Sequence, residues 1–309
     1  MSLTVGFAGI TGRVAQCVIH DLLKEPQVLI KGYCRDPSKL PAVIRDNKRV
    51  TVFQGQTDDR AALIPFVEGC DVMVCAYLAE NTVMVAAQKL LVDLCVDAKV
   101  DRYVASDWTL EYPSLTPGMF VKKDPILVIN AYLKSKPIKT IHILNGMFTE
   151  TLFSDLFYFY DGSTTPTFKY YGNGDELMDL TTYYTAGQYT AALILDKDAE
   201  GFYRFRGDKI SAKGIIADFT SVYGYAPKVE VLGTLDDLHR ESLKTGEQDY
   251  IMTGAWLILN GKVYLNEPLD ADKYPQVKPR TIKDFFTEIP VEKLSDSLVN
   301  VSTRLSWKY

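Results

Sequence analysis

The stretch Leu3-Thr4-Val5-Gly6-Phe7-Ala8-Gly9-Ile10-Thr11-Gly12-Arg13-Val14-Ala15 constrains this chain most, because it runs an apolar strand through two glycines straight into a helix. Gly9 suits the positive φ of a tight strand-to-helix turn, Gly12 leaves room for a pyrophosphate against the backbone, and Ala15 is small where helix and strand must pass closely. Free amides in the first turn of that helix face an anion with the helix dipole behind them. A lone G-x-x-G-x-x-A also occurs in ordinary βα turns, so context has to separate the two. Here the motif follows a strand, starts an amphipathic helix (Val14, Val18, Ile19, Leu22, Leu23) and sits in a full βαβ unit. A dinucleotide site is the expectation.

Apolar runs and helical patterns keep alternating through the first half, the signature of a parallel sheet with helices on both faces. Strands are predicted at 28–34, 50–54, 71–76, 102–106 and 140–144, with helices over 60–67, 81–98 and 124–133. From Thr149 the character changes, and aromatic residues crowd the run to Tyr171 before the turn Gly172-Asn173-Gly174. Helices are predicted near 186–195, 211–223, 235–244 and 250–259, with strands at 202–205 and 228–231. The fold class that follows is α/β: a doubly wound parallel sheet of Rossmann type over 1–148, with a smaller C-terminal α+β substrate lobe over 149–309. Some C-terminal segments are free to rejoin the large sheet, and the cleft between the halves is the default ligand site.

Composition narrows the function. The 309 residues are 47% apolar and 24% charged, with a formal net charge of -5 and no clustered Lys and Arg, so a nucleic-acid surface is not expected. No stretch is apolar for long enough to span a membrane and no secretory leader stands at the start, which predicts a cytoplasmic protein. Cys17, Cys34, Cys70, Cys75 and Cys95 form no C-x-x-C pair and read as buried reduced thiols. His20, His142 and His239 stand at no ligand spacing to a cysteine or carboxylate, so no metal is expected. The absence of a G-x-S-x-G elbow leaves acyl transfer without support.

With these pieces in place, the chain resembles the NmrA-like and isoflavone-reductase-like atypical short-chain dehydrogenases, in their fungal form. The match rests on the glycine motif, Cys34-Arg35-Asp36-Pro37-Ser38-Lys39, Gln54-Gly55-Gln56-Thr57-Asp58, Ser106-Asp107-Trp108, the Asn-Gly-Met-Phe run from Asn145, and Tyr274 to Pro279. The resemblance implies NADP(H) bound by Gly9, Thr11, Gly12, Arg13, Val14, Arg35, Lys39, Gln56, Ala76, Tyr77, Ser106 and Asn145. It also implies a catalytic lysine after the fifth strand, for which Lys123 fits best and Lys122 is its neighbour, although the arginines that follow that lysine in the plant enzymes are absent.

Residue chemistry bears on each assignment. Arg35 stands where an acid would hold the ribose of NAD, and a guanidinium there suits a 2′-phosphate, with Lys39 as a second cation; the alternative leaves Asp36 on the ribose. Lys123 suits a general acid if burial lowers its pKa, and the alternative is a solvated loop lysine; Asp107 and Lys122 are next in line. Tyr132-Leu133-Lys134-Ser135-Lys136 spells Y-x-x-x-K, but at the far end of its helix, and reads as a decoy. His142, between Ile141 and Ile143, reads as a satisfied core histidine. The aromatic run from Phe148 to Tyr171 serves either a flat substrate or core packing. The function expected is an NADPH-dependent reductase acting on a conjugated or aromatic small molecule; the alternative is a non-catalytic NADP(H)-sensing regulatory protein. A homodimer is compatible with both.

Overall fold

The computed structural model describes residues 2–162, 165–244, 249–299 and 301–305. In chain order the first half gives β1 (Leu3–Ala8), α1 (Arg13–Leu22), β2 (Val28–Cys34), α2 (Ala42–Arg45), β3 (Val50–Gln54), α3 (Arg60–Val67), β4 (Val72–Cys75), α4 (Asn81–Asp97), β5 (Arg102–Val104), α5 (Asp124–Leu133) and β6 (Lys139–Leu144). The second gives β7 (Met147–Phe148), α6 (Thr149–Leu152), β8 (Tyr160–Asp161), β9 (Thr167–Tyr171), β10 (Leu177–Thr181), α7 (Tyr183–Leu195), β11 (Gly201–Arg204), β12 (Asp208–Ser211), α8 (Ala212–Tyr223), β13 (Lys228–Gly233), α9 (Leu235–Ser242), α10 (Asp249–Leu259) and α11 (Ile282–Glu288).

Seven strands form one parallel sheet in the order β11-β6-β5-β4-β1-β2-β3. Its chain order reverses between β1 and β4, the crevice where open α/β sheets take ligands. The central strands are apolar on both faces, as helices on both sides require: Val72, Met73, Val74 and Cys75 of β4 are all fully buried. The seventh strand, β11, comes from the second half and lies beside β6, so the large sheet draws on both. Arg102 of β5 fastens them further. Its guanidinium donates to the carbonyls of Leu193, Ile194 and Asp196, where a helix end leaves acceptors unpaired and favours a cation. Helices α1 and α7 pack closely because position 187 is glycine, where a Cβ would stand 2.5 Å from that of Cys17.

The second lobe contains two small sheets, β12-β10-β7 and β13-β9-β8, around an aromatic core of Phe153, Phe159, Tyr160, Phe168, Phe219, Phe285 and Phe286. Phe153 meets Phe168 edge-on at 6.3 Å and stacks on Phe285 at 5.5 Å. Most of the aromatic run is therefore packing. Strands β9 and β10 flank the turn at Gly172 but join different sheets, β9 pairing with β13 some sixty residues on, from Lys228 against Thr167. Caps set the helix starts: α7 begins at Tyr183, ahead of the predicted 186, because the Thr182 hydroxyl accepts from the amide of Thr185. Helix α11, absent from the sequence expectations, carries a Thr281–Asp284 capping box. The Tyr274 to Pro279 segment packs Tyr274 into the main core, its hydroxyl 2.8 Å from Asp196 Oδ2. All five cysteines are buried free thiols. Among the described residues no helix is long and apolar enough to cross a membrane.

Candidate cofactor cleft and reaction site

Gly9 adopts φ 88°, and a Cβ there would stand 2.7 Å from the carbonyl oxygen of Ala76, so the turn accepts no other residue without moving β4. The amides of Gly9 and Ile10 both reach the Tyr33 carbonyl, and Gly12 closes on Gly9 at 2.9 Å. Gly12 is the extended N-cap of α1 and brings no side chain to its first-turn amides, leaving them to an anion.

Around this turn lies a cleft of about 890 Å³ walled by Gly9, Thr11, Gly12, Arg35, Gln56, Ala76 and Tyr77. That volume suits a large organic ligand. Every residue lining it falls between 9 and 90, so the cleft belongs to the carboxyl edge of β1 to β4 and not to the seam between the halves. From Leu78 to Leu90 its lining is apolar except for Glu80. Arg35 is exposed on the cleft wall, with its carbonyl accepting from Gln54 Nε2 at 3.0 Å. Asp36 is committed elsewhere: its Oδ1 accepts from the amide and hydroxyl of Ser38, which holds its carboxyl below the usual range.

Five of the residues expected around the cofactor are not in this wall. Lys39 is exposed at the end of a 3-10 turn. Arg13 donates through Nε to the carbonyl of Leu298, 2.7 Å away, tying the dinucleotide turn to the C-terminal segment. Val14 packs on the main core. The Ser106 hydroxyl donates to the Tyr77 carbonyl at 2.8 Å and links the carboxyl ends of β4 and β5. Asn145, fully buried after β6, has no partner among the described residues for either side-chain polar atom. An orphaned buried amide costs about 1–3 kcal/mol, so its place at the carboxyl edge fits a polar group of a bound ligand.

Beyond β5 the chain makes a second arrangement. Trp108 holds φ 36°, uncommon for a bulky residue, with its indole N–H on Thr190 Oγ1. The neighbouring Asp107 side chain is 3% exposed, and its Oδ2 lies 2.7 Å from His142 Nδ1 and 3.1 Å from the Tyr112 hydroxyl. His142 stacks on Phe202 at 4.5 Å. Glu111 pins the loop from below through a bidentate bridge to Arg204 at 2.6 and 2.7 Å. Lys123, the N-cap residue of α5, is pushed down to about 8 by burial; Asp107 opposes that shift and Lys122 adds to it. Lys122 itself is exposed over the Tyr250 ring, 5.3 Å from its centroid.

The Y-x-x-x-K pair is occupied elsewhere: the Tyr132 hydroxyl and Lys136 Nζ both sit 2.7 Å from Asp93 Oδ1 on α4. His142 is buried and satisfied, as the sequence suggests, but the cluster it forms with Asp107 and Tyr112 is new. The one available signal was a histidine among the apolar residues Ile141, Ile143 and Leu144 of β6, beside the strand whose end carries an aspartate. In the second lobe, Met147, Phe157, Tyr158, Tyr170, Tyr171 and Met178 help line a cavity of about 10 Å³, room for no more than a water-sized group.

Residues 9–137 match the NAD(P)H-binding family. Among curated proteins, an oxidoreductase of Pestalotiopsis microspora is 34% identical over 70 residues, 22% of this chain and 27% of that protein. An oxidoreductase of Cryptosporiopsis is 38% identical over 69 residues, 21% of this chain and 29% of its own. The chain thus spans under a third of the length of these relatives. Solved structures match far more of it. AtPrR2 with NADP+ and (+)pinoresinol superposes with a TM-score of 0.78 at 16% identity, covering 93% of this chain and 98% of that one. An isoflavone reductase gives 0.76 at 13% identity, covering 93% and 99%. Leucoanthocyanidin reductase from Vitis vinifera, bound to NADPH, gives 0.75 at 15% identity, covering 92% and 98%. Residues 9–137 are thus similar to an NAD(P)H-binding domain, and the chain as a whole has the fold of the pinoresinol and isoflavone reductase structures.

Proposed function

We propose that this protein is an NADPH-dependent reductase of a conjugated or aromatic small molecule, with Lys123 as its proton donor. The observation that carries the reading is the place of Lys123, its pKa lowered to about 8 by burial, at the start of α5 on the loop that leaves the carboxyl end of β5, the neighbour of the strand β4 whose end walls the cleft. A bound nicotinamide supplies the hydride, and the rest is the work of the chain. The glycine turn and the α1 amides would take the pyrophosphate. Arg35 would take a 2′-phosphate, since Asp36 is held by Ser38 and a guanidinium matches phosphate geometry. At neutral pH a lysine of pKa about 8 is mostly protonated yet far readier to give up its proton than an ordinary one, which is what a general acid needs. AtPrR2, which shares this fold, holds (+)pinoresinol beside NADP+, and this chain has an aromatic second lobe in which Phe148 and Tyr183 stack at 3.8 Å.

The small size of the aromatic cavity favours a second reading, an NADP(H)-sensing regulatory protein without turnover. Calorimetric titration with NADPH and NADH, followed by NADPH consumption over a panel of aromatic ketones, enones and imines, separates them. Tighter NADPH binding with consumption on one class is the expected result. NADPH binding in a complex whose nicotinamide face is covered by protein side chains would leave the sensor.

A further inference from the structure

The edges of the large and small sheets are finished differently. At β11 the outer edge of the large sheet is closed: the Arg204 amide donates to Asp270 Oδ2 at 2.8 Å, and the Arg204 carbonyl accepts from the Asp270 amide at 2.9 Å. At β13 the edge is open. This strand ends its three-stranded sheet, with β9 its sole strand partner among the described residues. The Lys228 amide donates to the Pro166 carbonyl at 2.9 Å, toward β9. Backbone groups alternate along a strand, so those of Glu230 also face β9, while those of Val229 and Val231 face away from it. Lys228 to Val231 are all exposed, Val229 at 48% and Val231 at 58%. An open edge that also carries two uncovered valines is a template for another strand.

The charges on β13 decide which strand that is. Val229 lies beside Phe168 on the core side of the sheet, and Tyr225, also exposed, meets Phe219 of that core at 5.6 Å. Lys228 and Glu230 take the other face, where Glu230 lies 3.7 Å from Lys169. A twofold centred on Lys228 or on Glu230 would set that residue against its own copy, and like charges directly opposite are destabilising. One centred on Val231 would leave both without a charged partner. Centred on Val229, it sets Lys228 opposite Glu230 of the second copy, twice by symmetry, and lets the two Val229 residues exchange both backbone bonds. Val231 then faces Pro227 of the second copy, which has a carbonyl to accept with and no amide to leave unpaired.

We propose that β13 is a homodimer surface, on which two copies pair antiparallel through residues 227–231 about a twofold at Val229, joining their β13-β9-β8 sheets into one of six strands. The Val229 and Val231 side chains of both copies extend the two cores across the seam, and each Glu230 is shared between its own Lys169 and the facing Lys228. The strand is short, so the dimer is weak and reversible. The dinucleotide cleft is walled by residues 9 to 90 and takes no part in it.

Sedimentation velocity on the full chain over about 1 to 100 µM, the range in which a small interface associates, tests this. The native chain should pass from monomer to dimer. Lys228→Glu and Glu230→Lys each set like charges across the seam, and each should raise the dimer dissociation constant roughly tenfold or more. An equimolar mixture of these two variants should recover the dimer, because each copy then offers the charge that the other lacks. Both positions are exposed, so both variants should melt as the native chain does. Val229→Pro removes a backbone donor from the open edge alone and should abolish the dimer. A native chain that stays monomeric throughout overturns the proposal. So does a dimer indifferent to Lys228→Glu or to Val229→Pro, or a mixture that dissociates as readily as its separate variants.

Discussion

The two halves of the molecule assemble their sites in opposite ways. From β1 to β4 most of the cleft wall comes from the ends of successive strands and the turns after them: Gly9 after Ala8, Arg35 after Cys34, Gln56 two past Gln54, Ala76 after Cys75, with α4 adding Val83 to Leu90. The second lobe instead joins segments far apart in sequence, β13 onto β9 and β12 onto β10, and buries most of its aromatic residues among themselves. A ligand site built on successive βα turns survives large changes elsewhere, whereas one built on long-range pairing depends on every partner. The loop from Ala105 to Lys123 lies between these cases. It leaves β5 in the first half and is anchored by Arg204 of β11 in the second.

The largest effect that tests this contrast is on that loop. A positioned general acid contributes about 10² to 10⁴ in rate, so Lys123→Ala should cut turnover by that factor. NADPH affinity should change by less than about tenfold, because the cleft wall is made by residues 9 to 90 alone. Stopped-flow reduction and calorimetry read the two separately. Equal losses in both would mean that the loop is part of the cofactor site and that the division into two kinds of region fails.

Next in size is a pH effect at the seam. Burial pushes the Glu150 carboxyl up to about 7, against the amide of Tyr183 and the charges of Arg304 and Arg280. Its folded value lies above the ordinary 4.5, so the folded state binds the extra proton and stability falls as pH rises from about 4.5 to about 7, then levels. Two and a half pKa units set an upper limit of about 3 kcal/mol. Glu150→Gln should remove that slope and unfold at higher denaturant than the native protein at pH 8. A variant less stable there would show that the Arg304 ion pair outweighs the cost of burying the charge.

These cases also show what the sequence could carry. The parallel sheet was legible because buried strands read as apolar runs with a helix pattern between them, and the glycine turn because its spacing is local. Strands β9 and β10 were not, since their pairing partners lie at Lys228 and Ser211 and nothing near Thr167 or Leu177 names them. Lys123 could be placed by following β5 to the next helix. The contacts of His142 and Tyr112 with Asp107 could not, because they depend on how a strained loop folds back over β6. The contact of Arg13 was out of reach for the same reason: its position after Gly12 suggested the cofactor, and nothing near it names Leu298, nearly three hundred residues away, to whose carbonyl its guanidinium donates.

A smaller and more specific effect sharpens the account of the first half. Arg35→Ala should weaken NADPH binding by roughly tenfold to a hundredfold, the worth of one charge-assisted contact, and leave NADH nearly unchanged. Titration of both cofactors checks it. Equal losses, or a native preference for NADH, would return Asp36 to the ribose despite its bonds to Ser38.

The smallest effect expected is at Tyr132. Helix α5 runs back from the carboxyl edge, where Lys123 caps it, toward the start of β6 at Lys139, so its last turn lies at the opposite edge of the sheet from the cleft. There the Tyr132 hydroxyl is spent on Asp93, Lys136 bridges the same carboxylate, and its ammonium stands 4.4 Å over the tyrosine ring. The tyrosine and lysine that would form a dehydrogenase dyad thus fasten α5 to α4. Tyr132→Phe removes one exchangeable hydrogen bond, worth about 1 kcal/mol of stability, and should leave turnover within about twofold. Loss of activity in a Tyr132→Phe protein that still binds NADPH and melts normally would place the proton donor on α5 and take it away from the loop after β5.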